Sequence, residues 1–169
     1  LYGVSTLDAV AWRAWAEGVR GRVLVAADAM RKEVYPALFE LSDAGISRLT
    51  TDAVVKATIA CEWVADQEAK LSERVDDLTI LGDALVKYRE IFEPLGIIAD
   101  ENLWAVSGAG LLLAAQAGLV AGDIDLSSAA WHGESNAAAA RANAGTAPVA
   151  LRPGDPSVLL PVYTRLSDA

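Results

Sequence analysis

The stretch "RVLVAADAMRKEVYPALFELSDAGISRL", residues 22–49, decides the fold class, because it holds three strand-like runs separated by two short polar turns. Its first part, "RVLVAADA", is a nearly continuous run of β-branched and small apolar residues. That is the pattern of a strand covered on both faces, so it is expected at the centre of a sheet. "EVYPALFEL" alternates less cleanly, and Pro36 cannot donate to a ladder. This second strand is therefore expected near an edge, or with a bulge at the proline. "DAGISRL" supplies a turn and a third short strand. Strands adjacent in sequence usually pair, which predicts an antiparallel meander of three.

Upstream, "GVST" offers Ser5 or Thr6 as a cap for a helix through "LDAVAWRAWAEGV". There Leu7, Val10, Ala11, Ala14 and Trp15 recur at steps of three and four, and Gly18 and Gly21 end the run. Downstream, the segment from "TTDAVV" to "AKLSERV" has helical spacing, with Thr51 and Asp52 as caps and Ile59, Trp63 and Val64 on one side. "DDLTILGDALVKYREIF" reads as strand, glycine turn and helix, and "PLGIIAD" holds another short strand. A helix begun by Asp100 or Asn102 follows. Strand–helix alternation after a meander predicts an α/β fold with a mixed sheet.

The stretch "LWAVSGAGLLLAAQAGLVAG", residues 103–122, carries no charge, and its length would pass for a membrane span. Its many Ala and Gly, the central Gln116 and its acidic flanks favour a buried helix instead. Residues 123–158, rich in Ala, Ser, Gly and Pro, read as a mobile loop with one short Ala-rich helical turn, before the strand-like "VLLPVYTRL".

The chain has 169 residues, 53% hydrophobic and 22% charged, which suits one domain with a real core. Fourteen Lys and Arg against 23 Asp and Glu give a charge of -9, and no basic run offers a grip on a phosphate backbone. Direct nucleic-acid binding and a membrane anchor are not expected. The single cysteine, Cys61, excludes an internal disulfide and fits a reducing, cytoplasmic setting. Opening on Leu1 within "LYGVST", the chain is expected to be a fragment whose N-terminal part lies upstream.

Few residues invite chemistry. His132 has Ser127, Ser128, Glu134 and Ser135 near it in sequence, but local crowding is not a triad. Cys61 has nothing basic beside it to lower its pKa and reads as packing. "GAG" at 108–110 lacks the rest of a dinucleotide fingerprint and reads as close helix packing. Gly82 is better placed, since it opens a helix N-terminus that could hold an anion. Asp28 and Glu33 could serve as paired carboxylates tuned by Arg31 and Lys32, or simply belong to a polar tip between two strands.

"YGVSTLDAVA", "RVLVAADAMRKEVYPALFE" and "LLPVYTR" occur in the order found in the TsaB family, accessory proteins of tRNA threonylcarbamoyladenosine synthesis, and "LGDALVKY" is similar to that family's strand-to-helix turn. The chain resembles this family, with two departures: Met30 stands where an arginine is usual, and 123–158 is longer and richer in Ala. The resemblance implies a ribonuclease-H-like lobe of an actin-like ATPase fold, its meander extended by parallel strands with helices on both faces. It implies that 1–169 is a single C-terminal lobe whose first lobe lies upstream. It further implies a noncatalytic scaffold, without cofactor or metal, that works with a TsaD-like catalytic subunit and a TsaE-like ATPase through the full-length parent. Asp28 and Gly82 would mark what is left of a nucleotide cleft. A homodimer through surface bared by the missing lobe stays open. The alternatives are a glycoprotease-type peptidase and the nucleotide-binding half of a sugar-kinase-like ATPase.

Overall fold

A computed structural model describes residues 2–71, 77–120 and 152–153. Its centre is a mixed sheet built on strand β2, Gly21–Asp28. On one side β2 pairs antiparallel with β3, Glu33–Ser42, from Gly21 opposite Leu41 to Asp28 opposite Val34. Strand β4, Gly45–Arg48, continues the meander along the C-terminal half of β3, from Phe39 opposite Arg48 to Ser42 opposite Gly45. On its other side β2 pairs in parallel with β6, Thr79–Leu81, and β6 in parallel with β7, Ile97–Ile98. The strand order is thus β4-β3-β2-β6-β7, with the two-residue β5, Val55–Lys56, paired to the start of β3. A separate two-residue ladder joins β1, Tyr2–Gly3, to β8, Arg152–Pro153.

The apolar run 23–26 is fully buried, so residues that point to opposite sides of β2 are all shielded from water. Helices cover both faces. Helix α1, Thr6–Ala16, packs against α4, Gly108–Val120; α2, Ala60–Leu71, packs against α3, Leu85–Phe92. Phe39, Phe92, Leu24, Leu38 and Ile80 are the large side chains that these layers enclose. Each large aliphatic or aromatic residue so buried contributes roughly 1.5–3 kcal/mol of transfer free energy.

Pro36 does not put β3 at an edge: it lies within an interior strand, opposite Ala26. The reason is a gap on the outer side of β3. There β5 pairs only with Glu33 and Val34, and β4 pairs only from Phe39 onward. Leu38, two residues on and aimed the same way, donates its N–H to Thr50 Oγ1 at 3.0 Å instead of to a strand. A residue without an N–H costs nothing in that window.

Two helix boundaries differ from those expected. Residues 51–54 are irregular and are followed by β5 and a 3-10 turn at Ala57–Ile59, so α2 starts only at Ala60. Asp52 does not cap a helix; it accepts from Arg48 at 2.6 Å. Ile59 is exposed, whereas Ala60 and Val64 are buried. Asp100 caps a 3-10 turn at Glu101–Leu103 by accepting the Asn102 N–H at 3.0 Å. The long apolar helix begins later, where Ser107 Oγ accepts the Gly110 N–H at 3.1 Å. Ser107→Ala should therefore lower stability by about 1 kcal/mol, read as a shifted urea midpoint with unchanged slope.

Among the described residues, no helix is long and apolar enough to cross a membrane. The close packing expected of "GAG" is made by Gly110 alone: a Cβ there would sit 2.3 Å from the Ala9 carbonyl oxygen of α1, while Gly108 faces open space. Apart from Arg152 and Pro153, the stretch 123–158 lies outside the described residues, as do His132, its serine neighbours, Glu134 and "LLPVYTR".

Candidate functional site

In open α/β sheets ligands gather beyond the carboxyl ends of parallel strands. Here β2 and β6 end side by side at a cleft of about 260 Å³, lined by Thr6, Leu7 and Val10 of α1, by Val25, Ala27 and Asp28, by Gly82 and Asp83, and by Tyr35, Trp104 and Val106. The fold thus brings Asp28 and Gly82, more than fifty positions apart in sequence, to one wall. Most of the lining is apolar, and its two charged groups, Asp28 and Asp83, stand on that wall.

Gly82 makes the turn out of β6 with φ +120°, and a Cβ on it would lie 2.1 Å from the Ala26 carbonyl oxygen. That oxygen accepts the Ala84 N–H at 3.1 Å, so the turn is stitched to the backbone of β2. Two of the turn's donors, the Ala84 and Leu85 N–H groups, are engaged in this way. The Leu85 N–H is turned to the Gly82 carbonyl at 3.2 Å, and the Asp83 carboxylate stands at the same mouth. An anion there would face carboxylates, which is unfavourable.

Asp28 is fixed on three sides. Its N–H donates to Asp83 Oδ1 at 2.8 Å, its own Oδ1 accepts the Met30 N–H at 3.0 Å, and Lys87 Nζ of α3 donates to its Oδ2. The Lys87 ammonium, with the Met30 amide assisting, holds the Asp28 carboxyl below the ordinary carboxylate range, and Asp28 in turn raises Lys87. The cation that tunes Asp28 is therefore Lys87, not Arg31 or Lys32.

The sign of the linkage follows. Asp28 is depressed relative to its ordinary 3.8, so its contribution is present above about pH 4 and is lost as pH falls through the lowered value. Lys87 is raised above 10.5, and its share disappears only as pH rises beyond that. Lys87→Met should thus lower Tm at pH 7 by a few degrees and flatten the acid limb of the Tm–pH curve between pH 4 and 2. An unchanged acid limb in calorimetry would mean that the pair is not formed in solution.

The tip between β2 and β3 is unusual in its backbone. Met30, Arg31 and Lys32 all have positive φ, at 63°, 49° and 66°. Glu33 N–H closes the turn on the Met30 carbonyl at 2.8 Å, and the Ala57 N–H binds the Lys32 carbonyl at 2.9 Å. Asn and Gly relieve this conformation; Met, Arg and Lys do not. Asp28 and Glu33 do not act as a carboxylate pair: Asp28 faces Lys87, and in the ladder it stands opposite Val34.

A second polar cluster was not evident from the sequence. Asp8, on α1, is almost fully buried and meets Arg48 Nη1 of β4 through Oδ2 at 3.3 Å, while its Oδ1 makes no hydrogen bond of good geometry among the described residues. Burial pushes the Asp8 carboxyl up, and Arg48 and Ser5 oppose the rise. Arg48 also donates to the Thr50 carbonyl at 2.9 Å and lies over the Phe39 ring at 5.6 Å. Only an acid placed among Leu7, Val10 and Ala11 on the apolar side of a helix hinted at it. Cys61 is half-buried and donates to the Ile91 carbonyl at 3.1 Å; burial pushes its thiol up, away from the reactive thiolate. Among the described residues no group of three or more His, Cys, Asp or Glu could hold a metal.

No family model matches the sequence, and no curated protein does. Solved structures do. YeaZ from Pseudomonas aeruginosa, of the TsaB family, matches with a TM-score of 0.53 at 22% identity, covering 71% of this chain and 51% of that one. An uncharacterised protein described as similar to the peptidase YeaZ from Pseudomonas aeruginosa matches with a TM-score of 0.50 at 23% identity, covering 70% and 51%. The chain spans about half the length of the structures it matches. At this identity the likeness is one of fold: a ribonuclease-H-like, actin-like ATPase architecture, with the mixed sheet and flanking helices described above. The family that the sequence blocks resemble is the family of these structural neighbours.

Proposed function

We propose that this chain is the second lobe of a TsaB-type accessory subunit. It would support a TsaD-like catalytic subunit, and with it a TsaE-like ATPase, in forming threonylcarbamoyladenosine on tRNA, without contributing a catalytic group. The observation that carries the reading is the state of the cleft. At the strand ends where relatives of this fold approach a phosphate, Asp28 is locked to Lys87, Asp83 accepts the Asp28 amide, and the turn donors close on Ala26 and Gly82. Groups so committed to one another support a structural part.

The test is reconstitution. The full-length parent, its two partners, tRNA, ATP and threonylcarbamoyl donor are combined, and modified nucleoside is counted by mass spectrometry. Omitting the parent should reduce product to background; undiminished product without it sinks the proposal.

A second reading, the nucleotide-binding half of a sugar-kinase-like ATPase, draws on the position of the cleft at the ends of β2 and β6. Titrating ATP with magnesium into the chain in a calorimeter discriminates the two. The scaffold reading expects no heat of binding, and a micromolar isotherm would favour the kinase-like half.

A further inference from the structure

The β2–β3 tip presents side chains where its own backbone disfavours them. Met30, Arg31 and Lys32 occupy three consecutive left-handed positions, and the turn closed by Met30 and Glu33 is of the type that Asn-Gly adopts without strain. Non-glycine residues persist in such conformations when the surroundings over-determine them, and such outliers cluster where a segment has a task. The surroundings do hold this tip: the Asp28 carboxylate on one flank and the Ala57 amide on the other fix it to the body.

What the tip holds out is consistent. Met30 is 64% exposed, and Arg31 and Lys32 are exposed beside it. Lys56 of β5, the ladder partner of Glu33, is a third exposed cation at the same corner. None of the three cations bonds a side chain among the described residues. The opposite sign prevails over the chain as a whole, at -9. A fixed apolar knob ringed by free cations, on an acidic body, matches an acidic protein surface with a shallow apolar socket. It matches a nucleic acid poorly: the patch is too small to follow a phosphate backbone, and the rest of the molecule repels one.

We infer that this tip, Met30–Arg31–Lys32 with Lys56, is a docking knob for an acidic patch on a partner protein, and that its backbone strain is tolerated for that contact. The inference rests on the scaffold reading, which supplies the partner. It adds the surface through which the second lobe takes part.

The test uses the full-length parent with its reconstituted TsaD-like and TsaE-like partners, measuring affinity at 50 and 300 mM salt and adding unmodified tRNA separately. Three variants are compared: Arg31→Glu with Lys32→Glu, Met30→Ala, and Arg31→Asn with Lys32→Gly. Charge reversal should weaken partner binding by tenfold or more at low salt and remove most of its salt dependence. Met30→Ala should weaken it severalfold at both salts. The Asn-Gly variant should raise Tm by about 3 °C yet bind severalfold more weakly than the natural sequence at low salt, separating strain from recognition. The inference is overturned if all three variants bind the partners like the natural sequence. It is also overturned if charge reversal affects only tRNA binding, or only association of the chain with itself. Failure of the natural parent to bind any partner removes the scaffold reading itself, an outcome distinct from the others.

Discussion

Gly82→Ala is expected to be the most damaging single-methyl change among the described residues, with a loss of about 4 kcal/mol in urea denaturation. Two independent costs combine. At φ +120° an L side chain is strained by roughly 1–3 kcal/mol whatever the space around it. The added Cβ would also lie 2.1 Å from the Ala26 carbonyl oxygen, and backbone, unlike a side-chain end, has no rotamer by which to withdraw. Relief requires β6 to move away from β2, which pulls on the short parallel ladder from Val23 opposite Thr79 to Val25 opposite Leu81. Against a typical net stability of about 5–15 kcal/mol, that removes from roughly a quarter to most of what holds the fold. Gly108→Ala is the control: open space surrounds it at the first turn of α4, and it should change stability by no more than a few tenths of a kcal/mol. Equal effects for the two would contradict the packing described.

Arg48→Met should cost about 3–5 kcal/mol at neutral pH. Asp8 is almost fully buried, and Arg48, only 16% exposed, is the cation beside it. Removing one partner of a buried pair leaves a charge without compensation, which is far worse than never having built the pair. Methionine keeps the apolar stem and removes only the guanidinium, which also lies over the Phe39 ring, so the loss reports mainly on charge. The pH dependence identifies the cause. Asp8 already has its carboxyl raised by burial, so the folded state holds that proton more firmly than the unfolded state; this group's contribution declines as pH rises from 3.8 through the raised value. Without Arg48 the rise is larger, and the penalty of the variant should shrink steadily from pH 7 towards pH 4.5. Adding Asp8→Asn should restore a good part of the lost stability at pH 7. If Arg48→Met costs the same at pH 7 and pH 4.5, the ionised Asp8 is not what Arg48 compensates.

The sheet was legible in the sequence because its signals are local. An unbroken apolar run such as 23–26 has to be covered on both faces, and the turns at 29–32 and 43–45 fix the order of three strands. What escaped were features set by distant partners. Lys87 reaches Asp28 across 59 positions, and no spacing rule connects them. Pro36 suggested an edge because a proline is normally excluded from the interior, yet the gap that admits it is made by where β4 and β5 happen to stop. At 100–108 the chain places two capping residues in succession, and Asp100, which caps only a 3-10 turn, looks in sequence like the true start held by Ser107. The Asp8–Arg48 pair was hidden for the opposite reason: each residue alone is an ordinary charge, and only the packing of α1 beside β4 makes them a unit.

The two halves of the sheet also differ in how far the chain must travel to build them. Gly21 to Arg48 forms the meander from contiguous sequence, so its loops close at little entropic cost and it is complete as soon as those residues leave the ribosome. Strands β6 and β7 lie beyond α2, and the ladder that pairs Val23 with Thr79 must wait until the chain has grown about thirty residues past the meander's end at Arg48. Until then the β2 edge that will receive β6 is a bare row of backbone donors and acceptors beside an apolar run, open to any other strand. During synthesis this chain thus carries its greatest risk of misassembly at the edge that later becomes its best-protected interior.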